Sequence, residues 1–581
     1  MLNFMYKKTS YFLAAILLLS FLVRIYGIQH QDILGDEAAD SFRSIGYLDY
    51  LGTSFQTQPI DWYKNVGLPW WTKLSFHDDP PLVFLTQNIF FRFFGDSNLM
   101  AKLPSILWGV FSALLIYLIV HRFASQPLAL FVTFLFSING ASIWIFRSSL
   151  LEPFLLGTLL LNIYIFFIFI DNKKHFWLFG LTLGLVALTK YTGVFILPVY
   201  ICYLAFINRK LLFSWQFMAA LVLAVLVFSP VIAYNFYLFK ERGHFDLQLA
   251  YLFGQNTPEW TGLVGKTQDG FANILQNLIT LYGLPVLVLI TIALFSCMWV
   301  WRHCEKPACR QAGLRQSGTT KQSQLLPLRG IASQSLAMTG PRWALFAMLY
   351  MLFLTLMLVK IGAAPRFIVL YLPAFIILEA VALYCLWNYS SKLNFLFKST
   401  VIGYLIFSAW FAYQINFVKD YDYGVSKLDQ YFIQEFEGRE SGVIPESDNQ
   451  HLNNIILNFA ARKSDTIPRH LSLIVYNDNI TIDILEWIYY RYFFYHSIPA
   501  MYIENFLDIT RSKDKDVYKD FTIYFVQSAI NVPKNPFKID KKIGDEFETG
   551  LMSKGKKPVK SILGKDSKEM FRIYKFSFVE Y

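Results

Sequence analysis

Eleven apolar runs, most of them close to the length that crosses a bilayer, fill the first 415 residues: 11–28, 103–120, 127–145, 152–170, 176–189, 192–207, 213–233, 274–300, 343–360, 366–387 and 393–415. A helix needs about 20 apolar residues to span the hydrocarbon core, and it satisfies its own backbone polar groups there. The runs therefore predict an α-helical polytopic membrane protein with about eleven transmembrane helices, the fifth and sixth being short. A further run, 81–95, contains Arg92 and follows Pro80-Pro81, which suits a helix lying at the interface. Composition agrees. Hydrophobic residues make up 55% and charged residues 16%, against about 25% charged in soluble proteins. The formal net charge of +11 does not come from a basic–aromatic array of nucleic-acid type. The basic residues sit in short loops between apolar runs, so they report topology, and membrane lipids rather than nucleic acid are the expected surroundings.

Lys7-Lys8 precede the first run and no small-residue cleavage site follows it, so it reads as a first span with a cytoplasmic N-terminus. The inside loops then hold His121-Arg122, Lys173-Lys174, Arg209-Lys210, a basic stretch from Arg302 to Arg342, and Lys392. The outside segment 29–80 is acidic: Asp32, Asp36, Glu37, Asp40, Asp49, Asp61, Asp78 and Asp79 outnumber Arg43, Lys64 and Lys73. The expected arrangement is a multi-pass plasma-membrane domain over 1–420, with 301–342 a disordered basic cytoplasmic loop, and an extracytoplasmic domain over 421–581. From 421 on, long apolar runs stop. Segments 471–476, 521–527 and 571–578 read as strands, and 450–462 and 481–494 as helices, which makes a small α/β domain. None of the five cysteines lies in it, so it has no disulfide framework.

Under this topology several ionisable groups fall on one side of the membrane. Asp36-Glu37 follow the first span. Arg147 and Glu152 lie at the outer junction of spans three and four, Lys190 at the turn between spans five and six, and Lys360 and Arg366 around the turn between spans nine and ten. Cations on the outer side run against the positive-inside bias, and charges at membrane level are costly and often functional. Cations near the interface can hold a lipid-linked phosphate and stabilise it as it leaves. A carboxylate can accept the proton of an attacking hydroxyl. Each residue also has a structural reading: Asp36-Glu37 as a solvated pair, Arg147 and Glu152 as an ion pair, Lys190 as a snorkelling side chain, and Arg366 as a helix start. His77-Asp78-Asp79, and His244 with Asp246, are open to reading as metal or substrate contacts or as surface clusters.

Four parts of the sequence resemble the GT-C membrane glycosyltransferases, in the protein O-mannosyltransferase and aminoarabinose-transferase superfamily (glycosyltransferase family 39-like). They are GDEAADSFRSIGYL (35–48), HDDPPLVFLTQNIFFRFFGDSNLMAKLPSILWG (77–109), FRSSLLEPFLL (146–156), and the pair ALTKYTGVFILP (187–198) and APRFIVLYLPAF (364–375). Two aspartates follow His77 where the family pattern has one residue, Lys102 replaces an arginine, and Tyr191 stands where a small residue is commoner. The resemblance, over residues 10–415, implies an integral-membrane enzyme with the GT-C fold. It implies inverting transfer of a sugar from a polyprenyl-phosphate donor to a hydroxyl acceptor (protein, lipid or glycan) on the extracytoplasmic face. Asp36 would be the general base and Glu37 would position a substrate, or a divalent ion in members that bind one, with His244 a second metal candidate. Lys190, Arg366 and Arg147 would bind the donor phosphate, and Glu152, His77 and Asp78 would organise the site. Two other readings stand beside it. One is a transporter or flippase of polyprenyl-linked glycans, although no internal repeat is visible. The other is a non-catalytic scaffold that uses residues 421–581 to bind a partner.

Overall fold

The computed structural model describes residues 2–50, 59–63, 67–255, 271–304, 334–388, 394–418, 422–436, 450–461, 471–512, 515–529, 532, 542–564 and 567–580. Most of the expected basic loop 301–342 lies outside them. The chain begins with α1 (Leu2–Ile25), the short α2 (Asp36–Gly46) and α3 (Leu82–Phe94). The apolar series follows as α4 (Asn98–Phe123), α5 (Gln126–Ile138), α6 (Gly140–Phe146), α7 (Glu152–Asp171), α8 (Phe176–Thr189), α9 (Ile196–Ile207) and α10 (Trp215–Arg242). It continues as α11 (Phe271–Tyr282), α12 (Leu284–Cys304), α13 (Gln334–Ile361), α14 (Leu372–Trp387) and α15 (Asn394–Tyr413). Beyond these come α16 (Val425–Phe436), α17 (Gln450–Ala461), β1 (Ser472–Tyr476), α18 (Ile482–Tyr495), β2 (Ala500–Tyr502) and α19 (Ile503–Arg511). The chain closes with β3 (Thr522–Ser528), α20 (Ile543–Ser553), β4 (Lys560–Leu563) and β5 (Glu569–Ser577).

Among the described residues, seven helices are long and apolar enough to cross a membrane, and two bent pairs raise the number to nine. All eleven expected runs are helical. The pairs are the runs 127–145 and 274–300. The first bends by 61° at Asn139, whose side chain accepts from the Ser142 N–H at 3.1 Å and so caps α6. The second bends by 109° at Gly283, whose φ of +82° suits glycine. Helices α8 and α9, of 14 and 12 residues, would be about 21 and 18 Å long, short of the ~30 Å core.

The chain divides into two compact units, one of Met1–Tyr26, Asp78–Val83 and Ser105–Asp420, the other of Gly27–His77, Phe84–Pro104 and Tyr421–Tyr581. In the helical unit, lipid-facing surface gains nothing from burial, so helices associate through close packing and polar contacts. Gly180 and Gly184, one turn apart on α8, set its distance to α10: an added methyl group would stand 2.4 Å from the Ala220 carbonyl oxygen or 2.5 Å from Val227 Cβ. Inside α7, Asn162 is satisfied by Thr182 at 2.8 Å and by the Tyr200 hydroxyl at 2.6 Å.

The second unit is built on a five-stranded sheet of order β2-β1-β3-β5-β4. Strands β2, β1 and β3 are parallel, and β5 and β4 antiparallel. Every residue of β1 is buried, which is what a central parallel strand covered on both faces requires. The first extended segment, Gly27–His77, shares this unit's core: Ile33, Ala38, Phe42 and Ile45 pack with Val425, Leu428, Trp487 and Ile488.

Candidate functional site

In the helical unit the decisive group forms where α7 begins. Glu152 is the first residue of α7, where the positive end of the helix dipole favours a carboxylate. It is 1% exposed. Its Oε1 accepts from Lys190 Nζ at 2.7 Å and lies 4.0 Å from Arg366 Nε. Lys190 ends α8 and Arg366 stands in the turn Pro365–Ile368, so three elements far apart in sequence deliver one carboxylate and two cations. Phe367 floors the group: both Lys190 Nζ and the Arg366 guanidinium lie 5.0 Å from its ring centre.

Beside Lys190, the Tyr191 hydroxyl donates to Asp246 at 2.5 Å. Asp246 also accepts from Asn235 Nδ2 at 2.8 Å and from the Leu249 N–H at 2.9 Å. Burial pushes the Asp246 carboxyl up. The hydrogen bonds from Tyr191, Leu249 and Asn235 act against that, and Asp78 adds to it. Asp78 thus joins the electrostatics of this unit through Asp246. His244, two residues before, has its Nδ1 at 2.7 Å from the Phe245 carbonyl. The sequence signal for this cluster was a polar residue, Asn235, inside the long apolar α10.

Arg147 lies elsewhere in the helical unit. Its Nη1 donates to the carbonyls of Val23 (3.2 Å), Arg24 (3.2 Å) and Tyr26 (2.7 Å), and its guanidinium sits 4.8 Å from the Phe417 ring centre. It thereby satisfies carbonyls that the end of α1 leaves without helical partners. Arg24, buried next to it, donates to Ser20 Oγ and Ser142 Oγ at 2.7 Å each. Nothing in the sequence had marked Arg24.

In the second unit, Asp36 and Glu37 open α2, with Asp36 exposed. Gly35, at φ +51°, turns the chain into the helix. Lys102, fully buried, donates to the Asp32 carbonyl at 2.8 Å and lies 3.8 Å from Glu37 Oε2. Asp32 itself accepts from the N–H groups of Tyr423 and Ser426, both at 2.7 Å, at the start of α16. Burial pushes its carboxyl up to about 6, with those bonds opposing. His77 is wholly buried. Its backbone N–H donates to Asp49 Oδ2 at 2.9 Å, and its ring meets Trp62 edge-on. Among the described residues no three His, Cys, Asp or Glu side chains come together as a metal cage.

Residues 78–234 match the family profile described as dolichyl-phosphate-mannose-protein mannosyltransferase. Over these residues, all in the first part of the chain, the sequence is similar to that family of membrane glycosyltransferases. The fold of the chain is similar to apo ArnT from Cupriavidus metallidurans, with 13% identity, 98% of each chain covered and a TM-score of 0.50. The same protein bound to undecaprenyl phosphate aligns over 97% of each chain at 13% identity and a TM-score of 0.46. The oligosaccharyltransferase of Archaeoglobus fulgidus in complex with zinc and sulfate aligns over 89% of this chain and 68% of its own, at 14% identity and a TM-score of 0.45. No curated protein matches the sequence.

Proposed function

We propose that this chain is a membrane glycosyltransferase that moves a sugar from a polyprenyl-phosphate donor to a hydroxyl acceptor (protein, lipid or glycan) on the extracytoplasmic face, with inversion at the anomeric carbon. The acceptor oxygen attacks that carbon while the carbon–oxygen bond to phosphate breaks. The acceptor proton passes to Asp36, and polyprenyl phosphate leaves. Lys190 and Arg366 hold the phosphate and balance its charge as the bond breaks, Glu152 fixes the two cations, and Glu37 orients a substrate. Arg147 contributes by holding the end of α1. The topology that goes with this reading has a cytoplasmic N-terminus and residues 421–581 outside, in the plasma membrane, as the distribution of basic loops supports.

The observation that carries the proposal is the pairing of Lys190 and Arg366 on one buried carboxylate. The shared carboxylate fixes the geometry of the two cations, an arrangement suited to a phosphate monoester or diester. The test is a transfer assay in nanodiscs with a panel of polyprenyl-phosphate sugars, following release of polyprenyl phosphate by wild type and Asp36→Asn. Release by the wild type, with a loss of at least 100-fold in the variant, is expected. Equal turnover by both would remove Asp36 as the base.

A further inference from the structure

We infer that helix α18, within residues 421–581, positions the catalytic helix α2, and that Tyr495 is the residue that sets this position. The inference rests on Asp36 being the base. Helices α2 and α18 run parallel, and α18 grips α2 at both ends. At the start, the Gly35 N–H donates to the Asp483 carbonyl at 3.0 Å, immediately before Asp36. At the finish, the Tyr495 hydroxyl donates to the Phe42 carbonyl at 2.8 Å and accepts from the Gly46 N–H at 3.0 Å. Phe42 and Gly46 are four residues apart, the spacing at which a helix pairs carbonyl with N–H. The tyrosine hydroxyl therefore bridges one such pair in the last turn, just before the Tyr47 N–H closes the helix on the Arg43 and Ser44 carbonyls. Between the two grips, Phe42 stacks on Tyr490 at 5.0 Å and on Phe494 at 5.8 Å.

Local sequence fits this insertion. A methyl group on Gly46 would stand 2.8 Å from the Tyr495 oxygen and 2.4 Å from the Tyr50 oxygen, so only glycine leaves room for the hydroxyl. The gripping helix is itself held. Trp487, fully buried, donates from Nε1 to Asn98 Oδ1 at 2.6 Å. Arg491, 2% exposed, is paired with Asp429. A shift of α18 is thus passed to α2 and to the carboxylate in its first turn. Catalytic groups misplaced by about an ångström lose on the order of 100-fold in rate. Residues 421–581 accordingly have a share in catalysis that does not depend on their touching a substrate.

The test is Tyr495→Phe, which keeps the ring and removes both hydrogen bonds. It is assayed with whichever donor of the polyprenyl-phosphate panel supports the fastest release. Expected are a 10- to 100-fold fall in kcat, an unchanged donor KM and faster amide exchange over residues 35–46, with exchange in α7 and α8 unaltered. Gly46→Ala is the second variant, since its methyl group crowds the same hydroxyl from the α2 side and leaves the sequence of α18 unchanged. The double variant should be no slower than the worse single one. Wild-type kcat in Tyr495→Phe beside an inactive Asp36→Asn would overturn the positioning role alone. So would a fall in kcat accompanied by loss of donor affinity and of helix protection throughout the chain, because that marks general unfolding. An active Asp36→Asn would overturn the catalytic reading and this inference with it.

Discussion

Replacing Lys190 by methionine separates what this side chain does for the fold from what it does for the donor. Glu152 is almost completely buried and its Oε1 accepts from Lys190 at 2.7 Å, with Arg366 farther off at 4.0 Å. Its other oxygen, Oε2, has no hydrogen bond among the described residues. Removing one partner of a buried ion pair leaves a charge without compensation, which costs about 3–5 kcal/mol. Arg366 recovers part of this, so Lys190→Met should destabilise the chain by about 3 kcal/mol. Glu152→Gln alone removes the anion of the pair and should cost up to a similar amount, about 3 kcal/mol. The two together make a neutral pair of nearly the same volume, and their combined cost should return to about 1 kcal/mol. The coupling energy is then of the order of several kcal/mol. Unfolding in mixed SDS–detergent micelles measures it, and the nanodisc assay is run on the same variants. The double variant should be stable yet unable to release polyprenyl phosphate, because no cation remains at position 190. Additive single-variant energies would refute the idea that the carboxylate depends on the ammonium. Normal transfer by the double variant would refute the donor role of Lys190.

Two further outcomes follow from groups outside this pair. Arg147→Met should destabilise the chain by about 3 kcal/mol, since hydrogen bonds from a charged donor contribute roughly 1.5–3 kcal/mol each, and exchange protection should fall first at the end of α1. Glu486, on α18, is pushed up to about 8 by burial and by Asp483, with Arg43 opposing. A carboxyl whose folded pKa is raised stabilises the fold below its unfolded value near 4.5, and that contribution is lost as pH rises to about 8. Protection of α18 should therefore decline by on the order of 3–5 kcal/mol between pH 4.5 and 8, and Glu486→Gln should flatten the decline.

The hydropathy pattern located every apolar helix because lipid imposes a length and a composition on each span. It could not show that 127–145 and 274–300 are bent, since the bends come from a capping asparagine and a glycine at positive φ. Strands β1, β3 and β5 were legible as buried apolar runs. Strands β2, three residues long, and β4, where only Ile562 is buried, carry no such signal. Charge against the positive-inside bias marked Lys190 and Arg366, and an ionisable group at membrane level marked Glu152, before their pairing was known. The same signal marked Arg147 but could not tell a helix-end ligand from a phosphate ligand, because both tasks want a guanidinium near the membrane surface. The partnership of α2 with α18 was invisible, as no local pattern links residues so far apart.

The grip of Tyr495 on Gly46 also has a meaning in time. The two residues are 449 positions apart. At roughly 5–20 residues per second, the ribosome takes on the order of tens of seconds to get from one to the other. Throughout that interval the apolar helices can enter the bilayer one after another, but the helix bearing Asp36 lacks the partner that holds both of its ends. On the proposed reading, a chain released in that interval would carry Lys190 and Arg366 without a seated Asp36. If Asp36 is the base, as proposed, its seating therefore waits until α18 has been made.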